Sequence, residues 1–265
     1  MGVVLVTNDD GYRSAGYVAL IDELSKRYEV LAVAPVAGRS WAGKSVSTCK
    51  KLRVKKTRVH GNDVFLVNGT PADCVQIGLY HLLSDKPLFM VSGVNIGLNI
   101  GNARMLSSGT LGAAMESALL GLPGIAVSLM IPQSIRDKVN LYDDEACSIF
   151  HEAVRITDKI IRLIMSGQSG RDVKLLSVNI PYDATVDSEV MVTKPFKASY
   201  GQLFYKSKGF YVHRTPDLRF VDLEEDSDLK AIHDGKISLT PVDLSLVCDS
   251  DVVLLRGILK GKNKD

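Results

Sequence analysis

Apolar residues fall into two rhythms along the first 180 positions of the chain. Val3-Val4-Leu5-Val6 is an unbroken apolar run, the pattern of a strand buried on both faces. Ala15 to Arg27 instead carries its apolar residues at helical spacing, with Ala19, Leu20 and Leu24 on one side. Tyr28 to Ala34 returns to a strand, and Pro35 closes it. Strand, helix and strand at this spacing predict parallel pairing through a right-handed crossover. The fold class is α/β, with a doubly wound, mostly parallel sheet.

The later pattern extends that sheet. Lys51 to Val59 and Val64 to Val67 are rich in β-branched residues and flank Gly61-Asn62, which predicts a hairpin. Thr70-Pro71-Ala72-Asp73 predicts a helix start, with Thr as cap and Pro in the first turn. Leu88 to Val91 is a strand, Ser92 to Thr110 a polar, glycine-rich loop, and Leu111 to Leu120 a helix. Gly124 to Leu129 is a strand, Asp143 to Met165 one long amphipathic helix, and Val173 to Asn179 the last strand of the main sheet.

Beyond Asp183 the apolar runs shorten to Glu189–Thr193, Gly209–His213 and Ile237–Leu239, between polar turns. We therefore divide the chain into a core over residues 1–183 and a β-rich appendage over 184–265, ending in the polar tail Lys260 to Asp265. The appendage carries Tyr200, Phe204, Tyr205, Phe210 and Tyr211. These aromatics fit a subunit contact, a wall over an active site, or a hairpin packed within the monomer.

Composition removes several function classes. A chain of 265 residues can bury a substantial core, and its net charge of +2 with 23% charged residues calls for neither a nucleic acid polymer nor an anionic membrane. Any recognition of anions must be local. Cys49, Cys74, Cys147 and Cys248 are scattered without a C-x-x-C pair, which argues against zinc and predicts buried thiols in a reducing compartment. No stretch approaches the roughly 20 apolar residues of a membrane span, and the N-terminus opens without a signal-type segment. The expected location is cytoplasmic.

The chemistry concentrates in three loops. Asp9 and Asp10 follow the first strand, where open parallel sheets bind their ligands, and two adjacent carboxylates call for a cation or a shared proton between them. The simpler reading is that one of them caps the next helix. Gly38 to Ser45 brings Arg39, Ser40 and Lys44 and spells G-x-x-x-x-G-K-S, a phosphate loop of nucleotide triphosphatases. That motif must lead into a helix, whereas Val46 to Val54 reads as loop and strand. Lys44 and Arg39 can supply charge to a phosphate or lie solvated at the surface. The third loop, Ser92 to Asn102, alternates glycines with Asn95 and Asn99 and runs on to Ser107-Ser108-Gly109-Thr110. It offers amide oxygens for a hard cation and a helix N-terminus for an anion, or simply a tight turn with one capping hydroxyl.

Read together, the spans Thr7 to Gly11, Ala34 to Ser47, Gly69 to Asp73, Val91 to Gly97, Ser108 to Ala114, Ser177 to Pro181 and Ile237 to Pro241 resemble the SurE family of survival-protein nucleotidases. The resemblance implies a Rossmann-like three-layer core and an oligomer, a homodimer or homotetramer, built partly through exchange of C-terminal segments. It implies a phosphomonoesterase that hydrolyses nucleoside monophosphates with one divalent cation per subunit, Mg2+ or Mn2+. The metal ligands implied are Asp9, Asp10, Ser40 and Asn95, with Asp9 and Asp10 catalytic. Asn99, Ser108, Gly109 and Thr110 are implied as phosphate-binding, with Lys44 a further candidate. One departure lies between Gly101 and Ser108, where many members carry an acidic residue and this chain reads Asn-Ala-Arg-Met-Leu-Ser in a loop one residue longer.

Overall fold

In the computed structural model, which describes residues 2–166, 173–214, 219–220, 224–245 and 248–261, the opening apolar run is strand β1 (Val3–Thr7). It leads through α1 (Ala15–Leu24) to β2 (Glu29–Pro35), the hairpin β3 (Val54–Val59) and β4 (Asn62–Val67), and α2 (Pro71–Ile77). There follow β5 (Met90–Ile96), α3 (Gly101–Ser107), α4 (Gly109–Leu119), β6 (Gly124–Leu129), the short α5 (Gln133–Arg136), α6 (His151–Ser166) and β7 (Leu175–Ile180). The C-terminal part contributes β8 (Val190–Val192), β9 (Ala198–Ser199), the hairpin β10 (Phe204–Ser207) and β11 (Phe210–His213), β12 (Arg219–Phe220), α7 (Asp228–His233), β13 (Ile237–Pro241) and α8 (Asp249–Gly261). Residues 262–265 of the polar tail lie outside the described residues.

Among the described residues, nine strands form one sheet in the order β3-β4-β2-β1-β5-β6-β7-β13-β8. The six strands from β4 to β7 in that order pair in parallel, as the crossover argument requires. Period-two alternation explains why the apolar runs are continuous. Val4 and Val6 of β1 join one buried cluster with Leu20 of α1 and Ile160 of α6, while Leu5 between them joins another with Val75 of α2 and Leu111 of α4. Helices thus cover both faces, giving a three-layer α/β fold.

Four local expectations are revised. The hairpin turn is His60-Gly61 rather than Gly61-Asn62: both turn residues have left-handed φ, +48° and +81°, as a two-residue turn of the favoured hand requires. Ser92 to Thr110 is not one loop, because β5 runs on to Ile96 and α3 occupies Gly101–Ser107. The helix expected over Asp143 to Met165 begins as a 3-10 stretch, Asp144–Phe150, which delivers the fully buried Phe150 against Gly16, where even a β-carbon would lie 2.7 Å from its ring. Strand β7 does not end the sheet, since β13 pairs with it antiparallel and β8 adds beyond β13.

The thiols also depart from expectation. Cys74 is buried under the sheet and Cys147 half-buried, but Cys49 and Cys248 are exposed, each in a connecting segment rather than on a core face.

The sheet order places the functional edge. From β1 the chain goes outward to β2 on one side, while β5 pairs on the other, so the order reverses at β1. Loops leaving the carboxyl ends of β1 and β5 diverge there and open the crevice in which such sheets bind ligands.

Candidate active site

Asp9 and Asp10 follow β1 after one residue, the buried Asn8, and neighbouring β5 delivers Asn95 to the same edge. It does so through an irregularity in its pairing with β6: Ser92 pairs with Ala126, yet Asn95 pairs with Ser128, so β5 spends one extra residue over this step. Such a bulge re-aims the side chain that follows it. Gly93 makes it possible, with φ +142° and a position where a β-carbon would lie 2.4 Å from the Val127 carbonyl oxygen.

The second loop packs directly on the first. Arg39 N–H donates to the Asp9 carbonyl at 2.7 Å, and a β-carbon on Gly11, whose φ is +95°, would lie 3.2 Å from the Gly38 nitrogen. Ser40, Asp9, Asp10, Asn95, Asn99 and Ser108 then line one cavity of about 310 Å3. Three segments far apart in sequence meet there, and the sheet's reversal at β1 is the cause.

Electrostatics set this cavity apart from a helix cap. Burial holds the Asp9 carboxyl above the usual carboxylate range, although Thr110 Oγ donates to its Oδ1 at 2.6 Å and the Gly109 and Thr110 backbones also hydrogen-bond to it. Burial first, and then the charge of Asp9, push Asp10 to about 8, against the Ile96 N–H at 3.1 Å and the more distant charge of Arg136. Two carboxylates so placed attract a cation. Neither is an N-cap: Ser14 stands at the cap of α1, and Ser108 caps α4 by accepting from Leu111 N–H at 3.0 Å.

These residues fit a hard divalent ion. Among the described residues there is no cluster of three or more His, Cys, Asp or Glu, so a metal here must take two carboxylates and complete its shell with neutral oxygens and water. Asn95 could supply one such oxygen, because its Nδ2 is committed to the Gly97 carbonyl at 2.7 Å. The Ser40 hydroxyl could supply another. An all-oxygen set suits magnesium or manganese better than zinc.

The remaining sequence candidates separate. Asn99 is held rigidly, its N–H donating to Asn179 Oδ1 at 2.8 Å and its Nδ2 to Ser128 Oγ at 2.9 Å. Gly109 and Thr110 face Asp9 rather than the cavity, and a β-carbon on Gly109 would lie 2.9 Å from Asp9 Oδ2. Lys44 does not line the cavity; its ammonium pairs at 2.6 Å with the buried Glu116 of α4. The Gly38 to Ser45 loop has no helix after it, the next element being β3, so the setting of a triphosphatase phosphate loop is missing.

Two cations at the cavity were not singled out from the sequence, Arg104 of α3 and Arg136 of α5. Arg104 sits in the stretch expected to be loop, and Arg136 lies 41 residues beyond Asn95, with no motif to mark either.

Close backbone packing holds the second loop. Gly43 N–H donates to the Ser107 carbonyl at 3.0 Å, and a β-carbon on Gly112 would lie 2.2 Å from the Gly43 carbonyl oxygen. Gly112→Ala must therefore push this loop, and Ser40 with it, off α4. We expect it to cost about 1–3 kcal/mol in urea unfolding, the range for overpacking, and to lower turnover at least about tenfold. Wild-type turnover by this variant would show that the loop is not needed in this position.

Comparison with known proteins agrees with this architecture. A sequence profile described as Survival protein SurE matches residues 4–202. The proteins named 5'-nucleotidase SurE from Archaeoglobus fulgidus and Methanosarcina acetivorans are 33% and 35% identical to this chain, with 97% and 91% of each partner covered. The crystal structure of the SurE protein from Aquifex aeolicus superposes with a TM-score of 0.77 at 28% identity, over 97% of this chain and 99% of that one. With three quarters of its length matched by the profile and near full-length relatives above 30% identity, the chain belongs to the SurE family.

Proposed function

We propose that the protein is a divalent-cation-dependent 5'-nucleotidase, a phosphomonoesterase that converts nucleoside monophosphates to nucleoside and phosphate. Its membership of a family whose curated relatives carry that name supports the reading. The observation that carries it is the buried Asp9 and Asp10 pair at the sheet's reversal point, with Asp10 pushed to about 8.

Asp9, Asp10, Ser40 and Asn95 would hold one Mg2+ or Mn2+. When bound, such a cation neutralises charge on the phosphoryl group and makes water a better nucleophile at neutral pH. The Ser108 hydroxyl, whose oxygen caps α4, can donate its proton to a phosphoryl oxygen beside Asn99, and Arg104 and Arg136 bring positive charge to the cavity where negative charge must be compensated. Thr110 ties down Oδ1 of Asp9 and so fixes the orientation of the carboxylate that would position the attacking water. Phosphoryl transfer needs little more than this positioning and charge compensation.

The same reading makes the protein a cytoplasmic homodimer or homotetramer. Its free cysteines fit a reducing compartment. Phe210 and Tyr211 of β11 and Val253 and Leu254 of α8 leave large apolar side chains exposed, which a second copy would cover. No helix among the described residues is long and apolar enough to cross a membrane.

Phosphate release from a panel of nucleoside monophosphates tests the proposal. We expect turnover that a chelator abolishes and that added Mg2+ or Mn2+ restores. No release with any divalent ion, or turnover confined to nucleoside triphosphates and lost in Lys44→Ala, would overturn it.

A further inference from the structure

Trp41 is the one tryptophan of the chain, and it occupies an unusual position. It directly follows Ser40, lines the same cavity as Asp9 and Asp10, and remains 39% exposed. Its φ is +62°, a left-handed conformation that a bulky side chain rarely takes. A loop residue with no task there would be expected to relax to ordinary backbone, and strain of this kind is kept where surrounding structure holds a group in place for use.

The surroundings do hold it. Tyr200 packs at 5.1 Å between centroids on one side of the indole and His213 of β11 at 4.8 Å, nearly perpendicular to it, on another. Phe204 of β10 backs His213 at 5.6 Å. The Tyr200 hydroxyl hydrogen-bonds to Ser107 Oγ and to the Ala103 carbonyl, which fixes this aromatic group to α3, whose Arg104 and Ser107 line the cavity. The indole, carried on the second loop, is thus held by Tyr200 and by His213 of the C-terminal hairpin while still lining the cavity.

We propose that Trp41 is the stacking platform for the nucleobase of the substrate. The inference rests on the nucleotidase reading and deepens it. A base is separated from its phosphate by a ribose, so its platform must stand beside the phosphate cavity, which is where Trp41 stands. Base stacking on an aromatic ring is tolerant of sequence because every base has a π-face, and a purine offers the larger one. The class of substrate recognised is therefore a nucleoside monophosphate over a plain sugar phosphate, with purines favoured.

Two measurements on the full chain decide it. With Mg2+ present, adenosine should quench the indole emission saturably and D-ribose should not; since all tryptophan emission comes from this residue, the signal has one source. The ratio of kcat/KM for adenosine 5'-monophosphate to that for ribose 5-phosphate should fall about tenfold in Trp41→Leu and be largely kept in Trp41→Phe, which retains an aromatic face. A residue that merely latches the hairpin would affect both substrates alike and leave the ratio at its wild-type value. That result, or the absence of saturable quenching by adenosine, overturns the proposal. Should no phosphomonoester be hydrolysed, the nucleotidase reading fails and the quenching experiment still decides the platform.

Discussion

Asp10→Asn should lower kcat/KM for a nucleoside monophosphate at least about 10^3-fold, some 4 kcal/mol of transition-state stabilisation, while raising the thermal midpoint of the cation-free protein. Both effects have one cause. The Asp10 carboxyl is buried beside Asp9, and its pKa of about 8 measures how strongly the fold resists a second negative charge there. An amide is close to isosteric with the carboxylate and its oxygen can still accept from Ile96 N–H, so the replacement removes the cost of burying an ionisable group beside Asp9 without opening a cavity. It also removes the charge that draws the cation. Sites tuned for catalysis commonly hold groups that stability alone would not retain. Kinetics with a calorimetric scan check the pair of outcomes. A variant with wild-type turnover, or one that is markedly less stable than the parent, would refute the assignment of Asp10 as a ligand.

The second large effect is a pH dependence of cation binding. In the unfolded chain Asp10 should titrate near its ordinary value of 3.8, and in the folded chain near 8. Between these values the folded state binds the extra proton, so stability of the cation-free protein falls as pH rises and levels off above about 8. Asp9, also raised by burial, acts in the same direction. A divalent ion requires the ionised carboxylates and competes with that proton. Apparent affinity for Mn2+ should therefore rise by up to about tenfold per pH unit on approaching pH 8 and then flatten. Thermal scans with and without Mn2+ should show a larger upward shift of Tm at pH 8 than at pH 6. An equal shift at both would mean that the ion binds elsewhere or that the pair is already ionised.

Much of the scaffold can be read from residues alone. The run Val3–Val6 lies within strand Val3–Thr7 and Gly124–Leu129 is a strand over its expected bounds, because a strand buried on both faces reads as a near-continuous apolar run even where a buried Thr7 or Ser128 interrupts it. The Thr70 cap and Pro71 likewise mark α2 within a residue, and the structure closes the reciprocal hydrogen bonds between Thr70 and Asp73. Weaker local patterns mislead. Helix α3 was hidden by glycines and polar residues in a stretch that reads as loop, and it is fixed from outside, Asn102 N–H donating to the Phe196 carbonyl and Gly101 N–H to Asp228. Strand β13 carries too short an apolar run to announce that it would join the main sheet.

At the site the division is similar. Adjacent carboxylates after a buried strand, and amides and hydroxyls in two later loops, are visible as chemistry without coordinates. Lys44 shows the limit: its motif points to phosphate, yet the tertiary structure gives its charge to Glu116, a buried carboxylate that needs a partner. Arg104, Arg136 and the clamp around Trp41 had no sequence mark, because each depends on which segments the folded chain brings to one edge.

By itself, then, the sequence determined the parallel α/β scaffold and the kinds of atoms available at its edge, since periodicity and residue chemistry act over a few neighbouring positions. Tertiary structure decided which of those atoms face one another. The reversal of strand order at β1 and the bulge at Gly93 bring Asp9, Asp10, Ser40 and Asn95 to one cavity across some 90 positions of chain, and burial there turns two ordinary aspartates into a cation-seeking pair.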